Sequence, residues 1–172
     1  MSNNDLSQTA ADFFSQNYRL SSTIDARRRS LGDLLYDQTT SYLTVDGAYI
    51  SPIDFPSRIS GNFPSAVIIK ESLTFALTSN QNTVFRRDQK YGQYYAPRLY
   101  KIFVALPYFE ITGDLLLPGR STPQILLTSK TEGFLTLLDV TAKVVSKPEI
   151  TYHGEACIVS KNKVSFIGLL DQ

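Results

Sequence analysis

Tryptophan is absent from the 172 residues, and cysteine, histidine and methionine each occur once. The single cysteine, Cys157, excludes an internal disulfide framework and any cysteine-rich zinc site. The single histidine, His153, leaves little room for metal clusters or imidazole-based triads. Neither sign of charge dominates: 17 Lys and Arg stand against 16 Asp and Glu, a formal net of +1, which argues against a general nucleic-acid binder. Long hydrophobic runs are also missing. The longest clean one, Ile102 to Leu106, is far short of the roughly 20 residues a helical bilayer crossing needs. The first twenty residues carry neither a basic n-region nor an apolar h-region, so no signal peptide is expected, and the chain reads as soluble and cytoplasmic with no membrane partner. Phosphate-binding loops, dinucleotide fingerprints, nucleophile elbows and metal-ligand spacings are absent too. The sequence therefore calls for no cofactor, no metal and no enzymatic activity.

What is present is enough apolar material for a folded core, 42% hydrophobic against 19% charged, with a strand-favouring supply of Thr, Val, Ile, Tyr and Phe. The chain also repeats itself. With Phe109 set under Tyr18, Arg29 meets Arg120, Ser30 meets Ser121, Leu35 meets Leu126 and Thr40 meets Thr131. After one inserted residue, Tyr42-Leu43-Thr44-Val45 meets Phe134-Leu135-Thr136-Leu137. The match resumes at Ala66–Ile69 over Ala156–Val159 and ends at Leu73–Phe75 over Val164–Phe166.

Each copy predicts a strand, a turn, a short helix, a second strand, a Pro-bearing loop and a closing hairpin. The helix starts are signalled by Ser30-x-x-Asp33 and Ser121-x-x-Gln124, where the hydroxyl and the later side chain satisfy free N–H groups, and Pro123 suits a first helical turn. The hairpins are expected to join Ala66–Lys70 to Leu73–Thr78 and Ala156–Ser160 to Val164–Leu170. The second copy gains an extra strand in front, Leu99 to Leu106. The domain organisation expected is a polar segment 1–17, repeat unit 18–80, a basic Tyr-rich connector 81–98 and repeat unit 99–172. A unit this small supports only a marginal core, so the two copies are expected to pack together. The fold class expected is mainly β (α+β): two tandem pseudo-symmetric small β-barrel-like units, each with one short helix.

Ile111-Thr112-Gly113-Asp114-Leu115, the helix region Arg120 to Leu127, Phe134 to Val140 and Val159-Ser160-Lys161-Asn162-Lys163 together resemble an uncharacterised family of short bacterial domains. That family's pattern runs approximately xGxL, RLSDLL, FLxLxDVxV and VNKxxI. The first copy carries the helix motif better, as Arg29-Ser30-Leu31-Gly32-Asp33-Leu34-Leu35, but has Ser22 in place of the glycine. The strand order is similar to Sm-like or SH3-like small barrels, apart from the inserted helix. The resemblance implies caps, turns and core positions and brings no catalytic residues.

Two stretches have the composition of a binding surface. Arg27, Arg28 and Arg29 precede a helix, where guanidinium forks and free N–H groups can meet an anion; the competing reading is a solvated turn between Asp25 and Asp33. Residues 81–101 carry five cations against one acid, and Arg86, Arg87, Lys90 and Arg98 are interleaved with Tyr94 and Tyr95, as in single-strand nucleic-acid surfaces. The competing reading is a connector whose rings cover the seam between units. His153 and Cys157 are poor co-ligands on a strand, and Asp46 and Asp139 read as strand-closing residues. The function expected is a non-enzymatic protein–protein interaction or assembly module whose partner is protein, self or other; the alternative is binding of nucleic acid or an anionic ligand.

Overall fold

Alternating apolar positions build the ten strands of the described residues, and short capped segments interrupt them. The structure, a computed structural model, describes residues 8–25, 29–85, 98–117, 122–128 and 133–170. The first half holds β1 (Gln8–Phe14), β2 (Tyr18–Asp25), helix α1 (Leu31–Tyr36), β3 (Tyr42–Pro52), β4 (Gly61–Ile69), a 3-10 turn (Lys70–Ser72) and β5 (Phe75–Thr78). A further 3-10 turn, Gln81–Thr83, follows. The second half holds β6 (Arg98–Leu106), β7 (Phe109–Leu117), α2 (Pro123–Thr128), β8 (Phe134–Val144), β9 (Lys147–Ser160), a 3-10 turn (Lys161–Lys163) and β10 (Phe166–Leu169).

All ten strands form one antiparallel sheet in the order β10-β6-β7-β8-β9-β5-β1-β2-β3-β4. The protein is therefore mainly β, as expected, but it is not a closed barrel. The expected closing hairpins are not formed. β4 pairs with β3, while β5 pairs with β1 and β9; likewise β9 pairs with β8 and β5, and β10 with β6. The physical reason is the 3-10 turn after β4, closed by Leu73 N–H donating to the Lys70 carbonyl, which carries the chain across the sheet instead of folding it back. β4 and β5 lie at opposite ends of the run β5-β1-β2-β3-β4, about 19 Å apart in a flat sheet. Five residues link them, and side chains from all five strands share one buried cluster with α1. The run is thus rolled without closing on itself.

Residues 8–14 form β1, a strand the sequence pattern did not reveal inside the polar segment 1–17. It pairs with β2 as β6 pairs with β7, so a strand stands in front of both halves rather than of the second alone. Asp46 and Asp139 do not end strands either. β2 and β3 slip register between Ser21 and Thr23, and β7 and β8 between Thr112 and Asp114. The bulge residues opposite have positive φ, 61° at Gly47 and 49° at Asp139, and the strands continue beyond them, bent. A Cβ at Gly113 would lie 3.1 Å from the Leu138 carbonyl oxygen. In the first half Ser22 takes that place and its hydroxyl donates to the Asp46 carbonyl at 2.8 Å, turning a close approach into a hydrogen bond.

Two buried clusters result, one per half, and they share strands at the joint. β5 sends Phe75 and Leu77 into the second-half core and Ala76 into the first-half core; β9 sends Cys157 and Val159 one way and Ala156 and Ile158 the other. Phe14 stacks on Phe75 at 4.3 Å, and Phe109 meets both edge-on.

Candidate functional site

α1 is held by its ends. Ser30 Oγ accepts from Asp33 N–H at 3.0 Å and the Asp33 carboxylate reaches back to the Ser30 N–H, the expected capping box. Gly32 lets the helix sit directly on residues 84 and 85, since a Cβ there would collide with the Val84 carbonyl. In the second half Thr122 Oγ1 accepts from Ile125 N–H, and the expected cap, Ser121, lies outside the described residues.

Beyond α1 a cleft of about 450 Å³ opens at the seam between the halves, lined among others by Tyr36, Asp37, Ile69, Lys70 and Phe134. Asp37 accepts from the hydroxyl and N–H of Thr39 at 2.6 and 2.8 Å and from Arg29 Nη1 at 2.9 Å. These bonds, Thr39's foremost, hold its carboxyl well below the usual carboxylate range. Lys70 is only 8% exposed; its Nζ donates to the Asp37 carbonyl at 2.7 Å and Thr40 Oγ1 at 3.1 Å. Burial lowers its pKa against the opposing pull of Asp37. Tyr36 reaches across the seam, its hydroxyl donating to the Phe134 carbonyl at 3.2 Å and bonding Thr136 Oγ1 at 3.1 Å. Lys70 thus ties the α1–β3 turn to the β4–β5 turn, and Tyr36 ties α1 to β8.

The sequence-predicted binding residues are not gathered into one place. Arg27, Arg28, Arg86, Arg87, Lys90, Tyr94 and Tyr95 lie outside the described residues. Arg29 pairs with Asp37 and also donates to the Asp33 carbonyl at 3.0 Å, so its fork is occupied by its own helix. Arg98 is exposed at the start of β6, opposite Leu117. His153 bonds Thr141 Oγ1 on the surface, whereas Cys157 is fully buried and its thiol is pushed up by desolvation.

The two ends of the sheet stand apart from this seam. Among the described residues nothing pairs with the outer edge of β4 or of β10. Each edge exposes apolar side chains: Val67 (60% exposed) and Ile69 (50%) on β4, Phe166 (58%) and Leu169 (53%) on β10. Sequence reasoning did not single out these residues; the available signal was two short apolar runs, Ser65–Ile69 and Phe166–Leu170, containing no charge.

Among the described residues the fold and surface define an open, rolled antiparallel β protein with two uncovered apolar edges. No protein-family model matches the chain, no curated protein matches it, and no solved structure matches it. No helix among the described residues is long and apolar enough to cross a membrane.

Proposed function

We propose that the protein is a non-enzymatic protein–protein interaction or assembly module, cytoplasmic, built from two tandem units of one duplicated domain. Support for the duplication comes from strand order, which reads β5-β1-β2-β3-β4 in one half and β10-β6-β7-β8-β9 in the other. Their bulges fall 91 residues apart, at Ser21/Thr23 and Thr112/Asp114. Main-chain bonds recur as well: Lys70 N–H to Ser41 and Lys161 N–H to Gly133, Thr74 N–H to Phe14 and Ser165 N–H to Ala105. The family resemblance and the bacterial origin it implies belong to the same reading.

The single observation that carries the assembly function is the pair of unpaired, uncharged, apolar sheet edges, which are templates for strand addition. The alternative, binding of nucleic acid or an anionic ligand through the basic Tyr-rich connector and the Arg27–Arg29 turn, rests on the charge pattern of those two stretches alone. Solution mass separates the two. Assembly through apolar strands gives a mass, or a co-purifying protein, that depends on concentration and is indifferent to moderate salt. Nucleic acid carried through purification and shed at high salt would replace the assembly reading with the alternative.

A further inference from the structure

We infer that copies of this chain join head to tail, the outer edge of β10 of one copy pairing antiparallel with the outer edge of β4 of the next, in the register by which β5 already pairs with β9. The inference rests on the assembly reading and names its partner, a second copy of the chain.

The joint inside the chain supplies the template. β9 and β4 hold the same place in the strand order of their halves, and so do β5 and β10. The pair that unites the halves uses one strand of each kind, and the sheet ends in the other two. The ladders fix the equivalence residue by residue. Leu43 faces Ile68 as Leu135 faces Val159, and Phe14 faces Phe75 as Ala105 faces Phe166. The internal register is Phe75↔Val159, Ala76↔Ile158, Leu77↔Cys157 and Thr78↔Ala156. Carried to the outer edges it becomes Phe166↔Ile68, Ile167↔Val67, Gly168↔Ala66 and Leu169↔Ser65. The Ser160 N–H bond to the Thr74 carbonyl, 2.9 Å inside the chain, has as its counterpart Ile69 N–H donating to Ser165 of the neighbour.

The side chains fit the same operation. Inside the chain each joint strand feeds the other half's core: Ile158 enters the first-half cluster and Phe75 the second. Their counterparts, Val67 and Phe166, are both more than half exposed. A groove of about 200 Å³ runs beside β4, lined by Phe13, Ser15, Tyr18, Leu20, Ile50 and Ile68. The counterparts of these six, Val104, Leu106, Phe109, Ile111, Ala142 and Val159, all belong to the cluster in which Phe75 is buried. The groove is therefore the slot that Phe75 fills at the internal joint, here left open for Phe166 of a neighbour. Edge strands are ordinarily defended by lysine or proline; Ser65–Ile68 and Phe166–Leu169 contain neither, and Pro64 bounds the pairing segment. Because the two edges differ, the contact is heterologous and grows until its rotation closes a ring, or extends as a filament.

Blocking one edge at a time tests this. Val67→Lys would bury an unpaired cation at the contact while leaving β10 intact, and Phe166→Lys would do the reverse while also giving up its ring stack on Phe103; both sites are exposed, and circular dichroism checks that each variant is folded. The expected masses by light scattering are an oligomer for the wild type, a monomer for each variant, and a 1:1 dimer of twice 19.3 kDa when the variants are mixed. The mixture cannot grow further, because each partner brings one live edge. An oligomer that persists in both variants overturns the edge pairing and leaves the assembly reading standing. A wild-type chain that is monomeric at every concentration overturns the self-pairing; the assembly reading then falls too, unless a different protein is bound stoichiometrically. Monomeric variants that fail to dimerise when mixed also overturn it.

Discussion

Gly32 is the residue on which the first half's helix depends. Its missing side chain lets α1 lie on the backbone of residues 84 and 85, where a Cβ would collide with the Val84 carbonyl. Gly32→Ala is expected to destabilise the protein by about 1–3 kcal/mol through overpacking, although alanine favours helix intrinsically. Denaturant unfolding that shows equal or greater stability would contradict the contact. Asp37 gives a pH signature. Its carboxyl titrates below the ordinary range when folded, so its bonds to Thr39 and Arg29 stabilise the fold above the unfolded carboxylate pKa of about 4, and that contribution is lost as pH falls below it. Asp37→Asn should therefore flatten the acid side of a stability–pH profile; an unchanged slope would mean that the bonds contribute nothing. Ser22 shows how two residue types solve one problem at a bulge. Ser22→Ala removes the hydroxyl bond to Asp46 and should cost about 0.5–1.5 kcal/mol, read by thermal or chemical unfolding.

At the scale of elements, the capped helix starting at Ser30, the second strands from Tyr42 and Phe134, and the matching order of apolar positions were legible in sequence, because caps and alternation are local signals. β1 was not legible: Gln8, Thr9 and Asp12 give it a polar look, and only its pairing on both sides, with β2 and β5, buries Phe13 and Phe14. The false hairpins had a similar cause. Apolar runs separated by a short polar link look like paired strands, and nothing local distinguishes a reversing turn from a 3-10 turn that crosses the sheet. The positions in β4 and β9 were also aligned one residue out, Ala66 with Ala156, whereas the ladders set Ala66 against Cys157. With period-two side chains that slip exchanges inward for outward positions, which is why Val67 did not stand out as the counterpart of buried Ile158. The joint strands make a sharp prediction: Phe75 comes from the first half but packs in the second-half core. Phe75→Ala should cost about 3–5 kcal/mol. The whole chain should still unfold in one transition, seen together in far-ultraviolet and near-ultraviolet signals; separate melting of two halves would contradict a shared joint.

For the molecule as a whole, two halves of matching strand order joined through unlike edges leave one edge of each kind at the ends of the sheet, and the proposal is that the pairing of β5 with β9 is repeated between copies. The sequence shows the recurring pattern and the charge-free runs; it could not reveal that the runs end the sheet, because that is a property of strand order. The proposed joint uses main-chain and apolar groups of β4 and β10, so neutralising Arg86, Arg87 and Lys90 should leave self-association unchanged. The most direct measurement is register-specific cross-linking between two single-cysteine-substituted chains under mild oxidation. Cys157 does not interfere, being fully buried with its thiol pushed up by desolvation. Ser65→Cys mixed with Leu169→Cys places the two sulfurs on directly opposed residues, within disulfide reach. Val67→Cys mixed with Leu169→Cys offsets them by two residues, about 7 Å along the strand. A disulfide-linked dimer in the first mixture and none in the second is the expected result; no dimer in the first, or equal yields in both, would contradict pairing of β10 with β4 in the internal register.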